Sequence, residues 1–192
     1  AITRRMTEVK TQVKSLLDQG WEVYTADEVR LEHEAETRRM WLPKGQRTKL
    51  SVDRQKTSQS FFGALSLTSK KVKLYPIEGN QNTEQTILAL ERLQRETETE
   101  KIAVVLDNAR FHHAKALTAL YEPGQLLERI TPIHLPPYAP DHNPVEHVWN
   151  AAKNNIATIQ RETPEETFGA FASYVTGRAF DHDFEHLPLR ET

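Results

Sequence analysis

Ile102-Ala103-Val104-Val105-Leu106-Asp107 is the stretch that decides how this chain folds. Apolar residues in a row, with no polar break, read as a short central strand covered on both faces, and the run ends in an acid. Around it, Thr83 can cap a helix over about 84–97, with Ile87, Leu90 and Leu93 on its buried side. On the other side, a helix over about 113–121 ends near Pro123-Gly124, and Ile130 to Leu135 makes another strand.

Further upstream the periodicity changes twice. Met6, Val9, Val13, Leu16 and Leu17 recur at helical spacing over residues 4–18, and Gly20 follows as a stop. Residues 21–32 then alternate with period two. Trp21, Val23, Thr25, Asp27, Val29 and Leu31 share one face, and Glu22, Tyr24, Ala26, Glu28, Arg30 and Glu32 the other. Residues 33–57 are polar and basic and read as an irregular excursion. Residues 59–67 and 71–78 make two strands around Thr68-Ser69-Lys70. Asn143-Pro144-Val145-Glu146 opens a long helix to about 159, striped by Val145, Val148, Trp149, Ala152, Ile156 and Ile159. Thr163-Pro164-Glu165-Glu166 opens a last helix with Phe168, Phe171 and Val175 inward. The order predicts an α/β fold in which an antiparallel meander joins parallel strands: a five-stranded mixed sheet flanked by helices, RNase H-like. A flavodoxin-like sheet fits less well, because the hairpin over 59–78 does not suit it. Residues 20–180 are expected to form this domain, residues 1–19 a lead-in helix or linker, and residues 181–192 a flexible tail.

Composition limits the options. The chain has 192 residues, 38% hydrophobic and 27% charged, enough for one domain with a full core. No apolar run approaches the roughly 20 residues of a membrane span. Cysteine is absent, which removes disulfides, thiolate nucleophiles and Cys-ligated zinc. The net charge of −2 is not that of a wholly basic nucleic-acid binder. Basic residues are nonetheless crowded: Arg38, Arg39, Lys44, Arg47 and Lys49, with Arg54 and Lys56 after them, lie in one stretch that Trp41 and Pro43 interrupt. Such a stretch is either a solvated loop or a surface that pairs with phosphates and stacks.

Three acids come from three different elements. Asp27 lies among the inward residues of its strand, where a carboxylate is costly unless paired or metal-bound; alternatively the strand ends there in solvent. Glu28 competes for the role but alternates to the other face. Asp107 follows the buried run, where ligands gather at the carboxyl ends of parallel strands, although Asp107-Asn108 is also good turn chemistry. Glu146 can close a capping box with Asn143, or turn from the border of the apolar stripe toward the sheet. Brought together, three such carboxylates meet the needs of metal-assisted phosphoryl transfer. His112, His113, His142 and His147 stand near these acids but lack zinc-motif spacing. Asp181-His182-Asp183 and Glu185-His186 read as solvated tail.

Two segments carry a resemblance. Leu106-Asp107-Asn108-Ala109-Arg110-Phe111-His112 and the later Leu135-Pro136-Pro137-Tyr138-Ala139-Pro140-Asp141-His142-Asn143-Pro144-Val145-Glu146-His147-Val148-Trp149 closely resemble the catalytic domain of DDE transposases, in the bacterial insertion-sequence branch of the Tc/mariner superfamily. Thr25-Ala26-Asp27-Glu28 resembles that family's first acidic motif. The resemblance implies that Asp27, Asp107 and Glu146 are the catalytic acids and hold two Mg²⁺ ions, for which Mn²⁺ substitutes. Asn108, His112, Asn143 and His147 become candidates to orient ligands or phosphates. It also implies cutting of double-stranded DNA at transposon ends and joining to TA targets, in a homodimer on DNA, in the bacterial cytoplasm at the nucleoid. The excursion over residues 33–57 takes the place that contacts DNA and the partner subunit. The helix-turn-helix modules usual in the family have no counterpart here, so residues 1–19 read as the lead-in from such a region. Two rival readings remain: an RNase H-like nuclease acting on hybrids or junctions, and a domesticated or truncated domain that binds DNA or protein.

Overall fold

The computed structural model describes residues 2–34, 56–137 and 142–184. Its centre is a five-stranded sheet in the order β3-β2-β1-β4-β5. The strands are β1 (Glu22–Glu34), β2 (Lys56–Ser66), β3 (Val72–Ile77), β4 (Ile102–Leu106) and β5 (Ile130–His134). β1, β2 and β3 form the antiparallel meander, and β4 and β5 continue parallel to β1. This is the mixed sheet expected from the order of elements.

Alternation along β1 sends its residues to two different cores. Tyr24 and Ala26 join Phe62, Ala64, Val104 and Leu106 beneath α2 (Thr83–Glu96) and the one-turn α3 (Lys115–Thr118). Val23 lies on the opposite face with Ala103, Val105 and Ile133, covered by Met6, Val9 and Val13 of α1 (Ile2–Asp18). Farther along that face, Val29 and Leu31 pack with Val145, Val148 and Trp149 of α4 (Pro144–Ala157) and Phe171 and Val175 of α5 (Pro164–Thr176). β4 is buried throughout, because helices cover both of its faces.

Three local expectations change. The cap of α2 is Asn82, whose Oδ1 accepts from the Gln85 N–H at 2.9 Å, one residue before the expected Thr83. The helix expected over 113–121 is split into a 3₁₀ turn at Arg110–His113, α3, and a second 3₁₀ turn at Ala119–Tyr121. Ala114 is extended between the first two, so Leu117 turns inward while His112 is held elsewhere. At the far end, Phe184 is buried against Met6, Val9 and Leu67, and Phe180 donates its N–H to the Lys70 carbonyl at 2.7 Å. Phe180 and Phe184 thus anchor this segment, while Arg178, Ala179 and Asp181 stay exposed.

Arg129 fixes the approach to β4. Its guanidinium donates to the carbonyls of Gln94, Thr97 and Thr99, at 2.9, 2.5 and 2.7 Å. Those bonds tie the end of α2 and the segment after it to the start of β5. Arg129→Ala is expected to cost about 2 kcal/mol of stability, read as a lower urea midpoint with an unchanged slope.

Candidate active site

β1 is longer than the neighbour it parallels. Its pairing with β4 ends at Thr25 opposite Val105, so Asp27 and Glu28 project beyond the carboxyl end of β4. Asp107 leaves β4 into this gap. Each of Asp27, Glu28 and Asp107 places one carboxylate oxygen within 4.8 Å of the others. Asp27 is also hydrogen-bonded to the side chain of Glu146, which α4 supplies from its first turn. The structure thus joins Asp27 to each of the other two acids expected from sequence, and it groups Glu28, rather than Glu146, with Asp27 and Asp107. Alternation does send Glu28 to the opposite face, but beyond the end of β4 there is no strand to separate the two faces.

α4 is aimed by its first residues. Asn143 precedes Pro144 at the helix start, as expected, yet its side chain makes no cap. It is 1% exposed, and its Nδ2 donates to the Ala26 carbonyl at 3.2 Å, tying the helix start to β1 beside Asp27. The capping-box reading of Glu146 therefore fails. Its own N–H is taken by the Asn143 backbone carbonyl at 3.0 Å, and its carboxylate turns to Asp27.

Gly63 lets the helix approach. It faces Asp27 across the β1–β2 ladder, and a Cβ there would lie 2.1 Å from Cη2 of Trp149 and 2.6 Å from Cζ2. The indole occupies the space a side chain would need. A glycine between Phe62 and Ala64, inside a strand, is the mark of close approach that sequence reading can use and did not use here.

Charge is concentrated unevenly. Burial, then the hydrogen bond to Glu146 and the charges of Glu146, Asp107 and Glu28, push the Asp27 carboxyl up to about 11. Burial would also raise Asp107, but hydrogen bonds from His112 and the Ala109 N–H outweigh it and hold that carboxyl at about 2. Burial would lower His112, but its contacts with Asp107 and Glu28 raise it to about 10. Such a crowd of carboxylates, one of them ionising only at great cost, suits a divalent cation. The donors are hard oxygens, the class that binds Mg²⁺ and Mn²⁺ rather than zinc. Of the residues described, no other group of acids or histidines comes together in this way.

The other candidates scatter. Asn108 is exposed, and its Oδ1 lies 2.7 Å from His113 Nε2. His113 in turn packs on His134, with ring centroids 4.3 Å apart. His147 faces His182 at 5.6 Å, and its Nε2 is buried with no partner among the described residues. Arg38, Arg39, Lys44, Arg47 and Lys49 lie outside the described residues, as do Tyr138–Asp141 and the Glu185-His186 pair.

A 3-2-1-4-5 mixed sheet flanked by helices, with Asp27 inside β1 and Asp107 just past the end of β4, is the RNase H-like fold. The chain belongs to the DDE superfamily endonucleases, which it matches over residues 22–167. Among solved structures it is similar to the pre-cleavage Mos1 transpososome, with a TM-score of 0.62 at 15% identity over 94% of this chain and 56% of that one. The Mos1 mariner paired end complex with Mn gives 0.59 at 16% identity, over 94% and 56%. The catalytic domain of Mos1 mariner transposase gives 0.56 at 14% identity, over 94% and 83%. At these identities the likeness is one of fold. This chain spans 56% of the length of the transpososome chain that it matches. No curated protein matches it.

Proposed function

We propose that this chain is the catalytic domain of a DNA transposase, with Asp27, Asp107 and Glu146 holding two Mg²⁺ ions. It cuts transposon ends and joins them to target DNA by direct phosphoryl transfer, with no covalent protein–DNA intermediate. One observation carries the reading: Asp27, buried and pushed up to about 11, is in hydrogen-bond contact with both Asp107 and Glu146. Asp27 so placed would help hold a cation with Asp107, and Asp107 or Asp27 with Glu146 would hold the second. Bound there, Mg²⁺ would activate the attacking oxygen and stabilise the leaving one.

The protein's own part is placement. β1 and β4 deliver two acids from rigid strands, and Asn143 and Gly63 let α4 bring the third against them. Val145, Val148 and Trp149, all buried, keep water from the side of the site that faces the core. The fold shared with Mos1 complexes and membership of an endonuclease family support DNA as the substrate. TA targets, pairing into a homodimer on DNA, origin in a bacterial insertion sequence and a place at the nucleoid complete the proposal.

The test is nicking of supercoiled DNA by the whole chain in Mn²⁺ or Mg²⁺, with EDTA as control. Activity is expected only with metal, and Asp107→Asn should reduce it ~10³-fold or more, since loss of several kcal/mol of charge stabilisation costs tenfold per ~1.4 kcal/mol. Undiminished cleavage by Asp107→Asn would sink the site. Preference for an RNA–DNA hybrid over DNA would instead favour the nuclease reading.

A further inference from the structure

Glu28 is the acid that the three-carboxylate reading leaves without work. Its side chain is 3% exposed, and His112 beside it is fully buried. Nε2 of His112 lies 3.0 Å from Glu28 Oε1, and Thr86 Oγ1 of α2 lies 3.3 Å from that same oxygen and 3.0 Å from the Asn82 carbonyl, its one hydrogen shared between them. Nδ1 of His112 lies 2.8 Å from Asp107 Oδ1 and 3.2 Å from the Asp107 carbonyl. The Ala109 N–H donates to Oδ1 as well, at 2.9 Å. Phe111 stands edge-on to the imidazole with ring centroids 4.6 Å apart.

These contacts divide the oxygens of Asp107 into two kinds. Oδ1 accepts from two donors inside the protein. Oδ2 takes neither of these donors. Glu28 is similarly committed through Oε1, which faces His112 Nε2 and Thr86 Oγ1. The Asp107 carbonyl can only accept, so Nδ1 is the donor toward Asp107. Metal-ligating side chains depend on partners of this kind for their orientation.

We infer that Glu28 and His112 form a clamp, anchored to α2 through Thr86, that fixes Asp107 so that it offers one oxygen to the metal space. Glu28 is thus a positioning residue and not a ligand, although it lies within reach of the other acids. The inference rests on the reading of Asp107 as a metal ligand, and its test separates the two. An Asn amide at position 112 can put its nitrogen near the place of Nδ1, and a Gln amide near that of Nε2. His112→Asn therefore keeps the donor to Asp107, whereas His112→Gln keeps the contact with Glu28 and loses that donor.

Calorimetric Mn²⁺ binding by the whole chain should weaken only a few-fold in His112→Asn, which keeps the donor to Asp107 and loses the contact with Glu28. In His112→Gln it should weaken about 10- to 100-fold, the usual consequence of losing such a partner. A purely structural role would lower the melting temperature of both variants in EDTA and leave this difference in affinity absent. Glu28→Gln, which keeps an oxygen facing Nε2, should bind Mn²⁺ better than Glu28→Ala. Nitrogen-15 NMR of the metal-free chain should show a protected Nδ1–H on His112. Equal Mn²⁺ affinity in His112→Asn and His112→Gln, or an unprotected Nδ1–H, overturns the clamp. Unchanged Mn²⁺ binding in Asp107→Asn overturns the metal site, and the clamp falls with it.

Discussion

Asp27→Asn is expected to raise the melting temperature of the metal-free chain while abolishing metal-dependent cleavage. The two effects have one cause. Asp27 is 6% exposed, and burial together with Glu146, Asp107 and Glu28 opposes its ionisation. Asparagine keeps the shape, removes the ionisation and still donates to a neighbouring carboxylate. Relief of such a strained site contributes on the order of 1 kcal/mol, which is ~2–4 °C for a domain of this size. The same change removes a hard, charged ligand, so cleavage should fall by ~10³-fold or more.

The dependence on pH has a definite sign. An unfolded carboxyl ionises near 3.8 and the folded Asp27 near 11, so between those values the native chain holds an extra proton. Stability without metal therefore declines as pH rises through that window. Metal binding releases the proton, so the stabilisation by Mg²⁺ should grow with pH. Differential scanning fluorimetry with EDTA or Mg²⁺ from pH 6 to about 9 checks both statements. A metal-free melting temperature in Asp27→Asn equal to or below wild type, or a Mg²⁺ shift that does not change with pH, would contradict the account.

Gly63→Ala is the second change expected to matter greatly, although the residue bears no chemistry. Its Cβ would overlap the indole of Trp149, at 2.1 Å from Cη2. Trp149 is itself packed against Phe171, with centroids 6.0 Å apart, so it has no room to withdraw. Either α4 moves off the sheet or β1 and β2 part. Overpacking of this kind costs about 1–3 kcal/mol, a fall of ~2–12 °C in melting temperature. Because Glu146 sits one turn before Trp149 on α4, its contact with Asp27 should be lost at the same time. Purified Gly63→Ala should therefore bind Mn²⁺ poorly even well below its melting temperature. Wild-type stability and metal affinity in this variant would show that the close approach is not required.

Much of this was readable in one dimension. β4 announced itself because five apolar residues in a row cannot sit on a half-exposed strand. β1 alternated, and that alternation correctly put Asp27 on the face later covered by α4. Asn143-Pro144 marked the start of α4 because proline fits a first helical turn and little else in a helix. Where local rules offered two outcomes, they did not choose between them. Glu146 is a good capping residue by every local criterion, and so is Asn143. What overrode both was the long-range bond from Asn143 to Ala26 and the proximity of Asp27. The helix expected over 113–121 failed for a related reason. His112 is drawn into the site by two carboxylates that are distant in sequence or in another element, and the backbone turns to allow it.

By itself, then, the sequence determined the elements, their order and the faces of each strand, since these follow from periods of two and 3.6 and from the backbone limits of proline and glycine. It also supplied the acids. Only the tertiary structure decided their company. Strand β1 outruns β4, so two residues that alternation sends to opposite faces, Asp27 and Glu28, both come within reach of Asp107. No periodicity within β1 carries that information, because it depends on where a different strand ends.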